Sequence, residues 1–528
     1  MSLHQQERTS ISKTTKAIIT TRVVKTALKG MCALLLCCAF SCAVGPDFEH
    51  PKPPSIESYT TGTTPTATMP ADGKAQHFDQ GVKIVSDWWR LFNSPGLDAG
   101  VKEAIANNQS LQAAQASLRQ SQDILRAGYG VFYPQLDASL GASRQKTTPA
   151  FTGATAPSSI FNLFTLTATV SYALDVFGGE RRAVESLGAQ VDFQQAAVLA
   201  TYITLSGNVV NAMIARAGYQ EQIKATEQTI SFQRDQINIT DARARAGLIP
   251  YSDLLSLQSQ LAALEATLPP LRQKLSQTEH LLATLAGRTP AEWAPPDVEW
   301  SDLTLPGELP MTLPSQFVRQ RPDILAAEAQ LHSASAEIGV ATAALFPSFT
   351  LNGGYGFGSN TVNNLVKSSG SFWNLGGNVT GPLFHGGTLW YGRQAAINAY
   401  QLSLANYRQT VLSAFAQVAD TLRALEHDAE LVKAQSLALS SAEEALRLIL
   451  ANYQAGTATY IQVLIANGQY QQAKIGHLQA QTQRFQDTVA LFVSLGGGWW
   501  NDEEKAGGNI QEKNKSPKTS QNEQSKLP

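Results

Sequence analysis

The chain repeats itself, and that repeat limits its architecture more than any other feature. Asn108-Gln-Ser-Leu-Gln-Ala-Ala-Gln-Ala-Ser-Leu118 matches Arg321-Pro-Asp-Ile-Leu-Ala-Ala-Glu-Ala-Gln-Leu331 at an offset of 213. The same offset lays Phe132-Tyr133-Pro134 on Leu345-Phe346-Pro347. Further on, Ala246-Gly247-Leu-Ile-Pro-Tyr251 matches Ala455-Gly456-Thr-Ala-Thr-Tyr460 at an offset of 209. Each half reads helix, Pro-started apolar strands, long helix, Gly turn, second helix. The first repeat is set at 86–287 and the second at 314–499, joined by a Pro-rich connector at 288–313. Within them, β-hairpins are expected at about 134–175 and 347–383, and long helical hairpins with tips near 247 and 456. Residues 43–85 read as an extended arm. Residues 500–528, almost without apolar side chains, read as a disordered polar tail.

The helices are unusually long. Residues 178–249 and 385–498 contain no proline. Val411, Phe415, Val418, Leu422, Leu425, Ala429 and Val432 alternate four- and three-residue steps, a coiled-coil seam. A helix from about 388 to 453 would be roughly 100 Å long at 1.5 Å per residue, so it must run along something elongated. Ala405, Gln409, Ser413, Ala416, Gln417 and Ala419 fill the remaining faces with small or uncharged polar groups. That pattern suits a helix with neighbours on two sides and water on a third, as in a tube of helices. An antiparallel coiled coil is the plainer alternative.

Four segments alternate with period two. Phe164, Leu166, Ala168, Val170, Tyr172 and Leu174 interleave with Thr165, Thr167, Thr169, Ser171 and Ala173. The same alternation sets Leu136, Ala138, Leu140 against Gln135, Asp137, Ser139. It sets Phe349, Leu351, Tyr355, Phe357 against Thr350, Asn352, Gly354, Gly356, and Trp373, Leu375, Val379 against Asn374, Gly376, Thr380. Strands of about ten residues with one greasy face are the signature of an outer-membrane barrel, although a soluble half-buried sheet fits each strand equally well. Backbone groups in lipid must all be paired, so a membrane sheet has to close, and known barrels need at least about eight strands. Four strands in one chain then require several copies, and three copies would supply twelve.

All four cysteines, Cys32, Cys37, Cys38 and Cys42, lie in one window behind a basic stretch. The apolar run from Met31 ends Ala39-Phe40-Ser41-Cys42. It reads as a lipoprotein signal peptide, 1–42, with Cys42 acylated as the first mature residue; an uncleaved anchor is the competing reading. No further thiol exists for a disulfide framework or a thiolate metal site. Formal net charge is −2, and residues 1–42 hold six Lys/Arg against one Glu, so the remainder is near −7. A nucleic-acid partner would want a basic face. Beyond residue 42 no run of about 18 apolar residues appears, so no transmembrane helix is expected. The eight histidines are scattered, and no HExxH, GxSxG or GxxxxGK[ST] pattern occurs; neither enzyme chemistry nor a cofactor or metal is expected.

These residues resemble the TolC family of outer-membrane factors, in its lipoprotein branch with OprM- and NodT-like proteins. The landmarks are Cys42-Ala-Val-Gly-Pro-Asp-Phe48, Trp88-Trp89-Arg-Leu-Phe92, Leu313-Pro-Ser315 and Arg321-Pro-Asp-Ile324. Others are Ala327-Glu328, Leu383-Phe384 with Gly386-Gly387, and Leu495-Gly-Gly-Gly-Trp499. Leu268-Pro269-Pro270 is also shared and should kink its helix. The resemblance implies a mixed α and β fold: a homotrimeric tube with a 12-stranded outer-membrane β-barrel, four strands per chain, continuous with a long periplasmic α-helical barrel. It implies an outer-membrane channel of a tripartite efflux system, working with a periplasmic adaptor and an inner-membrane pump of the RND type. Such a channel conducts drugs or other small solutes passively to the cell exterior and is held in outer-membrane lipid.

By the same resemblance the tip or gate residues are Gly247, Tyr251, Asp253, Tyr453, Gly456 and Tyr460. The plainer reading makes both glycines helix C-caps and Asp253 a solvated helix-start residue. Some family members carry aspartates six or nine residues after the second tip glycine; here those positions are Gln462 and Ile465. A gate without that carboxylate ring should be steric, apolar or hydrogen-bonded, and less sensitive to divalent cations. A type I protein-secretion duct and a periplasmic adaptor lipoprotein remain rival functions, the adaptor weakened by two duplicated hairpins where one is usual.

Overall fold

The computed structural model describes residues 43–56, 58–60, 66–79, 84–148, 158–312 and 314–499. Cys42 and the rest of the expected signal peptide lie outside the described residues, as does the expected tail at 500–528. In chain order the elements are β1 (His77–Asp79), α1 (Pro95–Asn107), α2 (Gln109–Gly128), β2 (Gln135–Thr147) and β3 (Ser159–Leu174). Then follow α3 (Gly179–Arg245), α4 (Tyr251–Glu265), α5 (Leu268–Leu285), β4 (Glu308–Pro310) and α6 (Pro322–Ala343). The last are β5 (Ser348–Ser359), β6 (Ser371–Thr380), α7 (Thr388–Gln454) and α8 (Tyr460–Ser494).

The internal repeat is exact in the helices of the two hairpins. Both α3 and α7 have 67 residues and both ends correspond at the offset of 209. The α4–α5 stretch corresponds to the 35-residue α8 at both ends by the same offset. The one difference is Pro269-Pro270. Instead of a kink within a continuous helix, the chain divides: α4 ends at Glu265 and α5 begins at Leu268 with proline in its first turn. Proline supplies no N–H to the preceding turn, but it is tolerated where a helix starts. Ala266 and Thr267 stay in the right-handed helical region, so the hydrogen-bond ladder breaks without reversing the chain.

The chain forms two compact units, and neither follows the sequence repeats. The first takes the residues up to His50, Ser121–Val191 and Ala329–Leu404. It contains a four-stranded antiparallel sheet in the order β2-β3-β5-β6. The register pairs Leu136 with Val170, Ala168 with Tyr355 and Tyr355 with Trp373. Directly opposed residues share a face, so all four apolar sets fall on one side of the sheet. Leu136, Leu140, Leu351, Tyr355, Trp373, Leu375 and Val379 are exposed there, Leu375 at 82%.

The segment after residue 42 is pinned in the same unit. The Val44 N–H donates to the Phe177 carbonyl at 3.0 Å. Buried Arg182 donates to Asp47 at 2.6 Å and Glu185 at 2.7 Å. The Phe48 ring stacks on His332 with centroids 4.3 Å apart. Gly45 has φ +99, and a Cβ there would lie 2.5 Å from the Gly339 Cα. The Gly-Pro-Asp-Phe landmark thus becomes a tether along α3 and α6.

The second unit holds Pro51–Gln120, Asp192–Glu328 and, among the described residues, Ala405 to Trp499. Its core gathers Trp88, Phe92, Leu97, Met213, Ile214, Phe317 and Phe492, with Trp88 stacked on Phe492 at 5.2 Å. All seven seam residues of α7 are buried. The repeat persists in its polar bonds. Asn108 Nδ2 donates to the Leu285 carbonyl at 2.9 Å, and Arg321 Nη1 donates to the Ser494 carbonyl at 2.8 Å. Donors related by 213 thus reach carbonyls related by 209. The Pro-rich stretch between the repeats is packed: Val298, Leu303, Leu305 and Leu309 are buried, and β4 pairs in parallel with β1 of the arm.

One stretch of α3 bears on the expected absence of a transmembrane helix. An 18-residue window of it averages a hydropathy of 1.4, apolar enough by length and composition to cross a membrane. Half of that window is buried inside the protein. In this helix Ile203, Leu205, Val209, Val210, Met213 and Ile214 are all buried. Interspersed Ser and Thr interrupt the apolar runs of this helix and leave its average apolar.

Candidate functional site at the hairpin turns

Both helical hairpins of the second unit turn by the same local chemistry. At the end of α3 the Gly247 N–H bonds the Ala244 carbonyl and the Leu248 N–H bonds that of Arg243. At the end of α7 the Gly456 N–H bonds Tyr453 and the Thr457 N–H bonds Asn452. This is a Schellman closure, with a left-handed residue one past the cap. Gly247 has φ +72 and Gly456 φ +76, and a Cβ at either would meet nothing within 4 Å. Glycine is required there by backbone conformation, not by crowding.

The restarts differ. α4 begins behind Pro250, with Asp253 in its first turn, where the helix dipole favours a carboxylate. α8 begins with a capping box: the Thr459 side chain accepts from the third-position backbone, and the Thr459 N–H donates to Gln462 Oε1 at 2.9 Å. Gln462 therefore has a structural task at a position where an aspartate was considered. Ile465 is 56% exposed.

Three side chains bring the two turns together. Arg243 Nη1 donates to the Tyr453 hydroxyl at 2.6 Å, and its guanidinium carbon lies 5.6 Å from the Tyr453 ring centre. The Tyr453 ring meets Tyr460 edge-on at 5.3 Å. Burial, with the Tyr453 hydroxyl nearby, pushes the Tyr460 phenol well above its usual range, so it stays a neutral donor. Tyr251 is 64% exposed. The Asp253 carboxylate accepts from its neighbour Ser252 at 3.4 Å. No hydrogen bond, ion pair or ring contact among the described residues joins Tyr251 or Asp253 to the Arg243–Tyr453–Tyr460 group.

Arg243 was not singled out from sequence. A basic residue in the last turn of a helix is ordinary. The usable signal was broken symmetry. At the offset of 209, Arg243 faces Asn452 and Tyr453 faces Ala244. The Arg243–Tyr453 bond joins two positions where the turns differ, whereas Tyr460, which packs on Tyr453, has its counterpart in Tyr251.

A second polar centre of the same unit was also missed. Arg484 of α8 is 3% exposed; its Nε donates to Gln76 Oε1 at 3.0 Å and its Nη2 to Thr68 Oγ1 at 3.3 Å, both in the arm. Gln76, fully buried, donates onward to Thr488 at 3.1 Å. Beside them, burial and the neighbouring Asp487 push the Asp428 carboxyl up to about 7, against the pull of Arg484. Asp428 lies three residues after Leu425 and four before Val432, on the seam face of α7. A carboxylate at that spacing was the legible sign.

Two stretches, 100–288 and 313–497, match the model of the outer membrane efflux proteins. The chain belongs to the outer membrane efflux protein family. The chain is 30% identical over 455 residues to the pyoverdine export outer membrane protein OpmQ of Pseudomonas aeruginosa, covering 84% of this chain and 94% of that one. It is 26% identical over 457 residues to the probable outer membrane lipoprotein SilC of Salmonella typhimurium, covering 87% and 95%. The solved outer-membrane channel OprN superposes with a TM-score of 0.79 at 26% identity, over 87% of this chain and all of that one. This efflux-family chain is thus an outer-membrane component of an efflux system.

Proposed function

We propose that three copies of the chain form one duct. Each gives its four strands to a closed 12-stranded barrel in the outer membrane, and the duplicated helices line a periplasmic passage. The carrying observation is the sheet. β2 and β6 each pair on one side only within the described residues, and the shared apolar face is open. Unpaired strand edges are excluded from hydrocarbon, and closure with identical copies removes them. The apolar set of β3 runs from Phe164 to Leu174, and Asn162 and Arg144 follow it on the same face. Ten residues at about 3.4 Å, tilted by roughly 40°, rise about 25 Å, the height of a barrel's apolar band.

The duct works passively with a periplasmic adaptor and an inner-membrane pump of the RND type, and it carries small solutes outward. The relationship to a pyoverdine export protein supports a small-molecule cargo. The turn residues Gly247, Tyr251, Asp253, Tyr453, Gly456 and Tyr460, joined by Arg243, form the aperture at the periplasmic end. Acylation of Cys42 anchors each copy, a reading supported by the tethering of residues 44–48 in the unit that holds the sheet. Native mass spectrometry in detergent, paired with conductance in planar bilayers, tests the assembly. A folded monomer that forms no pores overturns it.

A further inference from the structure

A cavity of about 490 Å³ opens in the first unit at one end of the sheet, where β3 and β6 stop and β5 starts. Its wall is in large part aromatic and aliphatic, with Glu180, His385, Thr350 and Thr380 as polar members. Phe177 stacks on Phe346 with centroids 4.6 Å apart, and Phe349 lies 6.4 Å from Phe177. Val340, Ala344 and Leu389 complete the apolar lining. Asp175 also faces the cavity, but its carboxylate is spent on the start of α3. It accepts from the Glu180 N–H at 3.1 Å, the Arg181 N–H at 3.0 Å and Arg181 Nε at 3.1 Å. Asp175 therefore presents no free carboxylate, and the Phe177, Phe346 and Phe349 side of the wall is the surface open to an apolar occupant.

The first described residue lies beside this wall. A Cβ placed on Gly178 would be 2.6 Å from the Ala43 Cα, and Val44 is hydrogen-bonded to the Phe177 carbonyl. Cys42 is one peptide unit further, about 3.8 Å between Cα atoms. We infer that the cavity is the seat of one fatty acyl chain of the Cys42 anchor. A chain tethered one residue from Phe177 has a high effective concentration at this cavity, which free membrane lipid lacks. The opposite end of the sheet carries Arg144 and Lys146 on the apolar face; the cavity end has no such charged boundary on that face. Seating one acyl chain against protein would fix the height of each copy in the membrane and leave the other chains in the leaflet. The inference rests on the acylation reading above.

The test uses the full chain, exported with its own signal, in cells fed a diazirine-bearing fatty acid. After irradiation, lipid-linked peptides are mapped by mass spectrometry. The anchor chain is expected to crosslink to Phe346, Phe349 or Val340, and these crosslinks should be lost in Ala344→Trp, which fills the cavity. Leu389→Trp serves as a second filling variant, and heat-modifiable mobility on gels verifies that each barrel is formed. Three outcomes overturn the inference: anchor crosslinks confined to lipid-facing strand residues such as Leu375, cavity crosslinks to free phospholipid instead of the anchor, or anchor crosslinks to those three residues that survive in both filling variants. A mature N-terminus without any lipid mass overturns the acylation reading itself, and so is distinguished from the first three.

Discussion

The Arg243 guanidinium donates a 2.6 Å hydrogen bond to the Tyr453 hydroxyl, tying together two helical turns 210 residues apart in sequence. The bond is exposed, and exposed charge-assisted contacts contribute only about 1 kcal/mol or less. A contact of that strength could break without unfolding the helices that carry it.

Removing it should widen the proposed aperture without unfolding the chain. Arg243→Ala and Tyr453→Phe should both raise single-channel conductance in bilayers, with thermal stability changed by about 1 kcal/mol at most. Tyr453→Phe keeps the ring against Tyr460 and should be the milder of the two. Unchanged conductance in both would remove the contact from any gate.

Divalent cations should block conductance only weakly, because Gln462 and Ile465 occupy the two positions of the second repeat at which carboxylates would form a ring. Gln462→Asp should strengthen block by divalent cations. An aspartate in the first turn of α8 is favoured by the helix dipole. Loss of the capping box should cost about 0.5–2 kcal/mol. Current recorded with and without magnesium tests both halves of this expectation.

Stability should fall as pH rises from about 4 to about 7. The Asp428 carboxyl is pushed in the folded state from the ordinary carboxylate range up to about 7, chiefly by burial and then by Asp487, with Arg484 opposing. The folded state therefore binds more protons than the unfolded state across that window, and each pH unit costs at most about 1.4 kcal/mol. Above pH 7 this contribution is flat. Asp428→Asn should abolish the slope, which thermal unfolding at a series of pH values would reveal.

Gly45→Ala should detach the tether. Its Cβ would meet the Gly339 Cα at 2.5 Å, and the backbone at φ +99 is one that alanine resists. Overpacking of this kind costs about 1–3 kcal/mol. Faster proteolysis near residues 43–48, with the helices intact, is the expected signature.

Much was legible because it is periodic. The seam from Val411 to Val432 and the alternation from Phe164 to Leu174 each follow from how side chains project from a helix or a strand, and the offset of 209 carried one helical hairpin onto the other. The Arg243–Tyr453 contact and the Arg484–Gln76 centre were not legible, since each joins segments more than 200 residues apart by one or two polar bonds. Such bonds leave no period in a sequence. The division at Pro269-Pro270 fell between: proline announced an interruption, and only the backbone showed a clean break.

The sequence by itself determined the repeat, the length of the helices and the two-faced strands, because these depend on neighbours a few positions away. Tertiary structure decided that β3 of the first repeat pairs with β5 of the second, so that two hairpins become one sheet with a single apolar face. It also decided which unlike residues of two like turns would meet. Pairing register and long-range polar contacts are set by the whole chain's packing, and local patterns permit several solutions to each.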